Sequence, residues 1–276
     1  MPEAQDTLLE ILAKKFIARR DVKAIQRGHD YFPVTDREGN RLPWKKQDII
    51  AHLDGRQSYG HYLVNTDNQA KLLAFDIDLT KWNPRSGRAK PTWVGIDDDG
   101  DWTKSKKREL KPREAWLHKD APVELRRFLI TQMRGVAEIL ATCVMDVLEV
   151  PVAVSYSGNK GLHVYAMTGL TDARELRGAA QEVLQYSGEF VAERGKNFFR
   201  HKFEDPITGY PCIDIEVFPK QDSLTKKDLG NLMRLPLGIN KASSQGSYFL
   251  DLSSPIDELQ VADPLKALEG GDPWQV

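Results

Sequence analysis

The chain has 276 residues, 41% hydrophobic and 29% charged, with a formal net charge of -1. The composition is that of a globular, soluble protein, with room for one large domain or two modest ones. Cys143 and Cys212 are far apart and no CxxC occurs, which excludes a disulfide framework and a zinc knuckle. No apolar run approaches the ~20 residues of a membrane helix. The start, MPEAQDTLLE, lacks the basic and apolar regions of a signal peptide. A cytoplasmic protein without a membrane partner is therefore expected.

The near-zero net charge does not exclude a polyanionic partner, because distribution matters more than the sum. Basic clusters stand at residues 14–20, 104–113 and 194–202, and the sequence from Asp251 onward is acidic. Such runs are commonly solvated faces.

Apolar spacing predicts a helix over 7–20, from Leu8, Leu9, Ile11, Leu12, Phe16 and Ile17. A polar stretch with turn signals follows, then a short helix over 47–53 that Asp54-Gly55 stops. Residues 60–64 and 72–77 read as a hairpin closed around Thr66-Asp67-Asn68. Residues 81–113 form a long polar insertion. Within it, DDDGD at 97–101 resembles a calcium loop but lacks the closing Glu. A strong helix is predicted over 122–150, and strands over 152–156 and 162–167. Asp172 with Glu175 forms a capping box for a helix reaching about residue 193. A strand over 212–218 and a return to the core over 230–237 complete the pattern. The expected division is an N-terminal helical and irregular segment (1–47), a catalytic core (48–250) and an acidic tail (251–276).

Chemistry concentrates in three places. In KLLAFDIDLT a short apolar run ends in Asp76, Ile77 and Asp78. Alternate side chains on a strand share a face, so the two carboxylates point the same way. They repel and need a counter-charge, which hard divalent cations such as magnesium or manganese supply. In SGNKGLH, between two strands, Gly158 and Gly161 let backbone N–H groups approach a ligand and form an anion nest. Lys160 adds charge, Ser157 a hydroxyl, and His163 a donor to a phosphate or sugar. This is a triphosphate cradle without a Walker GxxxxGK. In CIDIEVFPKQ, Asp214 and Glu216 share a face, and Asp214 is positioned to join Asp76 and Asp78. Three acids holding two divalent ions is the apparatus of nucleotidyl transfer. Lys220 and Arg234 are candidate phosphate ligands.

FDID, SGNKGLHVY, DIEV and an Arg before Pro, in that order, resemble the archaeo-eukaryotic primase superfamily. The stretches HLDGRQSYGHYLVNTDN and EVFPKQD…LGNLMRLPLG are most similar to stand-alone bacterial primase-polymerases. Some of these accompany mobile elements, conflict systems or CRISPR loci. The resemblance spans roughly residues 48–240. It implies an α+β fold in which an N-terminal αβ module packs against an RNA-recognition-motif-like antiparallel sheet, with the active site in the cleft between. It implies two divalent ions, Mg2+ or Mn2+, on Asp76, Asp78 and Asp214, with Glu216 as an alternative third ligand. Ser157, Gly158, Lys160 and His163 would hold the incoming nucleotide, with Asn231 and Arg234 near its phosphates. The implied activity is template-dependent nucleotidyl transfer by a DNA primase or polymerase. The implied partners are single-stranded or primed DNA, NTPs or dNTPs, and further domains or partner proteins of a longer chain. Many primases carry a zinc-binding insertion after the first motif, whereas residues 81–113 contain no cysteine. Among the basic clusters, 104–113 is preferred for nucleic acid because it follows the catalytic strand.

Two other readings compete. FDIDLT also fits the DxDxT signature of haloacid-dehalogenase-type phosphatases, with Asp76 as nucleophile and Asp78 as acid/base. That fold needs a second acidic motif far downstream and Ser/Thr and Lys stations on parallel strands. A non-catalytic nucleic-acid-binding module would need neither aligned acids nor a phosphate cradle.

Overall fold

Leu73, Phe75, Ile77 and Leu79 alternate with Ala74, Asp76 and Asp78, and this period of two dictates a strand with one apolar and one polar side. The computed structural model describes residues 2–79, 94–96, 102–104, 123–194, 197–201, 213–225, 229–270 and 273–274. Most of the 81–113 insertion, the DDDGD run, Cys212 and parts of the 104–113 and 194–202 clusters lie outside the described residues.

In chain order the elements are α1 (Pro2–Phe16), β1 (Ala24–Arg27), β2 (Asp30–Pro33), α2 (Lys46–Leu53), β3 (Tyr59–Tyr62), β4 (Gln69–Ala70) and β5 (Leu73–Leu79). Then come β6 (Val94–Ile96), β7 (Trp102–Lys104), α3 (Val123–Leu148), β8 (Val152–Tyr156), β9 (Gly161–Ala166), β10 (Thr171–Asp172) and α4 (Ala173–Ser187). The last are β11 (Phe190–Arg194), β12 (Phe198–His201), β13 (Ile213–Phe218), β14 (Leu232–Arg234), β15 (Ile239–Asn240), β16 (Gln245–Gly246), β17 (Tyr248–Phe249) and α5 (Pro264–Glu269).

Seven strands form one sheet in the order β11-β12-β13-β5-β9-β8-β17, antiparallel throughout. Its apolar face carries Leu73, Phe75, Ile77, Leu79, Leu162, Val164, Ile213, Ile215 and Val217. These pack with Met133, Val136, Leu140 and Val144 of α3 and Leu176, Ala180 and Val183 of α4. A second sheet, β14-β3-β1-β2, draws on both ends of the chain. It meets the opposite face of the first sheet through a second core. There Leu12 and Phe16 of α1 join Ala74, Tyr165, Phe218, Met233 and Phe249. This is the expected α+β arrangement, an αβ module on an antiparallel sheet with a cleft between.

Several local expectations are corrected. Strands β3 and β5 flank the turn at 66–68 but belong to different sheets, so they are not a hairpin. Helix α4 starts with the Asp172 carboxylate accepting from the Arg174 N–H (2.8 Å) and stops at Gly188, which has φ 66. The left-handed turn favours glycine, and residues 190–194 leave it as an edge strand rather than continuing the helix. The polar stretch after residue 23 contains the β1–β2 pair. One segment, Arg126–Leu148, is long and apolar enough by length and composition to cross a membrane. Its apolar positions are used on the sheet.

The acidic segment after residue 250 is anchored to α3 by Arg134, whose side chain is fully buried. Its guanidinium donates to the carbonyls of Leu252 (3.0 Å) and Glu258 (2.8 Å), to Ser254 Oγ (2.9 Å) and to Glu138 (2.7 Å). Leu252, Ala262 and Leu268 are buried.

His52, on α2, ties the αβ module together. Its Nδ1 accepts from the Tyr59 N–H (3.1 Å), so its Nε2 carries the proton donated to the Pro236 carbonyl (3.1 Å). Burial, reinforced by Arg234, lowers its pKa from 6.5 to about 4. Burial also takes His61 down to about 3. An unfolded histidine binds a proton that these folded ones refuse, so stability is present above about pH 6.5 and is lost as pH falls toward 4. We expect the melting temperature to fall across that window, and His52→Asn to fall less steeply. Identical pH profiles would contradict the neutral, bridging role of His52.

Candidate active site

Register, rather than proximity in sequence, assembles the site. Strand β5 lies between β13 and β9. Asp78 is directly opposite Asp214 on one side and Gly161 on the other, and Asp76 is opposite Glu216 and His163. Directly opposed residues on antiparallel strands share a face. Asp76, Asp78, Asp214, Glu216 and His163 therefore look out together on the side away from α3 and α4, toward the cleft. Side chains of Asp76 and Asp78 are each 25% exposed. Asp214 is buried.

Each of three carboxylates is met by a cationic or ionisable partner. Asp78 pairs with Lys160, Asp76 Oδ1 lies 3.3 Å from His163 Nε2, and Glu216 Oε2 lies 2.8 Å from Lys220 Nζ. Burial pushes the Asp76 carboxyl up. The hydrogen bond and charge of His163, with Lys160 and Lys220, outweigh burial and hold it below its ordinary value. Lys220 also lies 4.5 Å from the centroid of the Phe218 ring. Among the described residues no three His, Cys, Asp or Glu side chains are gathered into a ready metal cluster. The donor set is nonetheless all carboxylate oxygen on one face, the chemistry that suits magnesium or manganese.

His163 is positioned from behind. Its Nδ1 meets the Tyr165 hydroxyl at 2.7 Å, and Tyr165 in turn meets Ser155 Oγ at 3.4 Å. The Tyr165 ring is fully buried and packs edge-on against Phe16 with centroids 5.1 Å apart.

The SGNKG turn between β8 and β9 closes on itself. The Ser157 N–H donates to the Gly161 carbonyl (2.9 Å), and Ser157 Oγ accepts from the N–H groups of Asn159 (3.3 Å) and Gly161 (3.2 Å). The Ser157 oxygen thus fills the nest that the sequence reading offered to a phosphate, leaving its own O–H to donate. Gly158 has φ 70, a conformation that costs a side-chain-bearing residue strain.

Arg234 is 6% exposed, and its guanidinium is committed to carbonyls: Ser157 (2.6 Å), Leu237 (2.9 Å) and Leu235 (3.4 Å). Burial lowers its pKa, opposed by Tyr31, Tyr165, Tyr156 and Asp76. It braces the cradle from the second sheet. The Asn231 N–H donates to Gln221 Oε1 (2.9 Å), and among the described residues no hydrogen bond joins Asn231 to the carboxylates or the turn.

Three positioning residues escaped the sequence. Asn240 Nδ2 donates to the Ser157 carbonyl (3.2 Å), Gln26 Nε2 donates to Asn240 Oδ1 (3.0 Å), and the Ser243 hydroxyl bonds the Gly158 carbonyl. Their partners are main-chain oxygens and amides far away in sequence, which leave no motif.

The antiparallel sheet carries paired acids beside a lysine-bearing glycine turn, the combination that the resemblance to the primase superfamily leads one to expect. The chain belongs to the family described as the archaeo-eukaryotic primase domain of TOTE conflict systems, which matches residues 8–269. No curated protein matches the sequence. Among solved structures, the polymerase domain of Ligase D from Mycobacterium tuberculosis, in complex with DNA, is similar at 13% identity. The match covers 96% of this chain and 85% of that one, with a TM-score of 0.45.

A Cβ added to Gly161 would fall 2.5 Å from both Asp78 Oδ1 and the Ile77 carbonyl. Gly135, inside α3, has open space around it. Gly161→Ala should therefore destabilise by about 1–3 kcal/mol, the cost of overpacking. Gly135→Ala should be neutral or stabilising by up to about 1 kcal/mol. Denaturant unfolding of both variants checks the pair, and an undisturbed Gly161→Ala would contradict the close approach of Asp78 to the cradle.

Proposed function

We propose that this protein is a template-dependent nucleotidyltransferase, a primase-polymerase that joins NTPs or dNTPs on a single-stranded or primed DNA template. The observation that carries the reading is the in-register set of Asp76, Asp78 and Asp214 beside Lys160 and His163 on one sheet face. Membership of a primase family supports it.

In this reading Asp76, Asp78 and Asp214 hold two divalent ions, Mg2+ or Mn2+, with Glu216 beside them. Such ions, when bound, activate a 3′-hydroxyl and neutralise a triphosphate. The protein's own groups orient the nucleotide. Lys160 and His163 donate to its phosphate oxygens, Gly158 and Gly161 allow the close approach, and Ser157 holds the turn in shape. Arg234 and Asn240 fix that turn through the Ser157 carbonyl. Asn231 lines the approach to the phosphates. Template contacts draw on the basic clusters. At residues 14–20 the described structure adds Lys71, whose Nζ donates to the Ala13 carbonyl (3.3 Å). Burial followed by the charge of Arg20 lowers the Lys71 pKa.

The phosphatase reading requires parallel strands, whereas β5 is antiparallel to both neighbours. A purely binding module has no use for the aligned acids.

A primer-free assay on single-stranded template, with labelled NTPs and dNTPs, tests the proposal and distinguishes starting chains from extending them. Asp76→Ala or Asp78→Ala should abolish incorporation while leaving the fold intact by circular dichroism. Full activity in either would end the carboxylate reading. Lys160→Ala should raise the nucleotide KM roughly ten- to a hundred-fold, the worth of a charge-assisted bond, with template affinity nearly unchanged. Wild-type nucleotide kinetics in that variant would remove the cradle.

If basic clusters contact the template, affinity for single-stranded DNA should drop steeply with salt, because phosphate contacts release counterions. Fluorescence anisotropy from low to moderate salt measures the slope, and a flat profile would refute the phosphate contacts.

A further inference from the structure

The wall of the cleft opposite the carboxylates carries a tyrosine hydroxyl that plays no part in holding the fold. Tyr31, on β2, is directly opposite Gln26 of β1. Ala24 of the same strand is opposite Gly60 of β3, and Gly60 is opposite Arg234 of β14. Opposed and alternate residues share a face, so Tyr31 lies on the side of the second sheet that also carries Gln26 and Arg234. Both of those reach the cradle. Arg234 donates to the Ser157 carbonyl, and Gln26 holds Asn240, which donates to the same oxygen. Tyr31 therefore looks into the cleft.

Gly60 lets the ring lie there. A Cβ on Gly60 would fall 3.0 Å from Tyr31 Cδ1, 3.1 Å from its Cε1 and 2.9 Å from Leu232 Cδ1. The phenol thus occupies space that a side chain would fill, laid on the backbone of β3 and grouped with Leu232, Val22, Ala24 and Tyr62. The residue is partly exposed, and among the described residues its hydroxyl has no hydrogen-bond partner. Burial raises its pKa. Arg234 opposes that, and Tyr165 and Asp76 add to it, so groups of both walls act on this phenol and it keeps its proton. A neutral phenol both donates and accepts, and this one is held in place by packing rather than by a bond of its own.

We propose that Tyr31 is the sugar-reading residue of the site, with its hydroxyl bonded to the ribose 2′-OH of the incoming nucleotide, and that it makes the site select ribonucleotides. The proposal rests on the nucleotidyl-transfer reading and adds the choice of sugar to it. With the triphosphate on Lys160 and His163 and the reacting phosphate over Asp76 and Asp78, the next group along the nucleotide is the sugar. The wall that faces Asp76 is the one the sugar meets. A site that bonds a substrate hydroxyl rejects the analogue lacking it, because its own polar group is then left unpaired.

Steady-state incorporation of ATP and of dATP opposite a templating dT on a primed strand tests this. The wild type should use ATP with the higher kcat/KM. Tyr31→Phe keeps the ring and its packing, so ATP use should fall roughly ten-fold while dATP use stays nearly unchanged. Gly60→Ala keeps the hydroxyl but displaces the ring. It should lower the same ratio, and it carries the test if Tyr31→Phe fails to fold. Tyr59→Phe is the control. Tyr59 lies on the other face of β3, beside Trp44 (centroids 5.6 Å) with its hydroxyl on Asp48, so its loss should leave the ratio as it was. A wild type without preference, or with a preference for dATP, overturns the sugar reading and leaves nucleotidyl transfer standing. An unchanged ratio in Tyr31→Phe does the same, as does an equal fall with both nucleotides, the mark of a packing role. A wild type that incorporates neither nucleotide would remove the nucleotidyl-transfer reading and this inference with it.

Discussion

The register of β5 is the constraint on which the rest of the structure depends. Leu73, Phe75, Ile77 and Leu79 are completely or almost completely buried against α3 and α4. A slip of one residue would turn Asp76 and Asp78 into that apolar layer and expose the leucines. Burying each large apolar side chain contributes about 1.5–3 kcal/mol, and an unpaired buried carboxylate costs more than that gain. The hydrophobic layer thereby selects the alignment that delivers the acids to the cleft. Both flanking strands obey the same alternation, so Asp214 and His163 arrive on the same side as a consequence.

Once there, the acids need counter-charge, and Lys160, His163 and Lys220 provide it. The acid–cation pairing accounts for the Asp76 carboxyl being held below its ordinary value against its burial. The face is dense in both signs of charge, and that density is what the nucleotidyl-transfer proposal rests on. The family to which the chain belongs is consistent with that chemistry.

Much of this was legible in sequence because its physics is local. A strand's period of two announced β5, β8, β9 and β13, and glycines around a lysine announced the turn between β8 and β9. The long apolar helix α3 was equally plain, although composition alone cannot tell a core helix from a membrane span. What was hidden depends on partners far along the chain. Thr66-Asp67-Asn68 has the chemistry of a hairpin turn, yet Leu63 and Val64 already join a different core from Leu73 and Phe75. Helix α4 ends at Gly188 because the αL conformation is available there, while Phe190, Val191 and Ala192 beyond it fit a helix as readily as a strand in the sequence. The bonds of Arg234 to the carbonyls of Ser157, Leu237 and Leu235 were hidden because side-chain chemistry is visible in sequence and carbonyl acceptors are not. The same limit concealed Asn240 and Gln26.

The Ser157 carbonyl is shared by Arg234, from the second sheet, and by Asn240, which Gln26 of β1 holds in turn. The cradle is therefore riveted to the opposite wall of the cleft as well as rooted in its own strands. Any breathing of the cleft carries the turn along, so the spacing between the walls and the height of the cradle above the acids form one mechanical coordinate. Any local adjustment there is left to the reach of side chains such as Lys160 and His163, because the backbone beneath them is bonded into the frame.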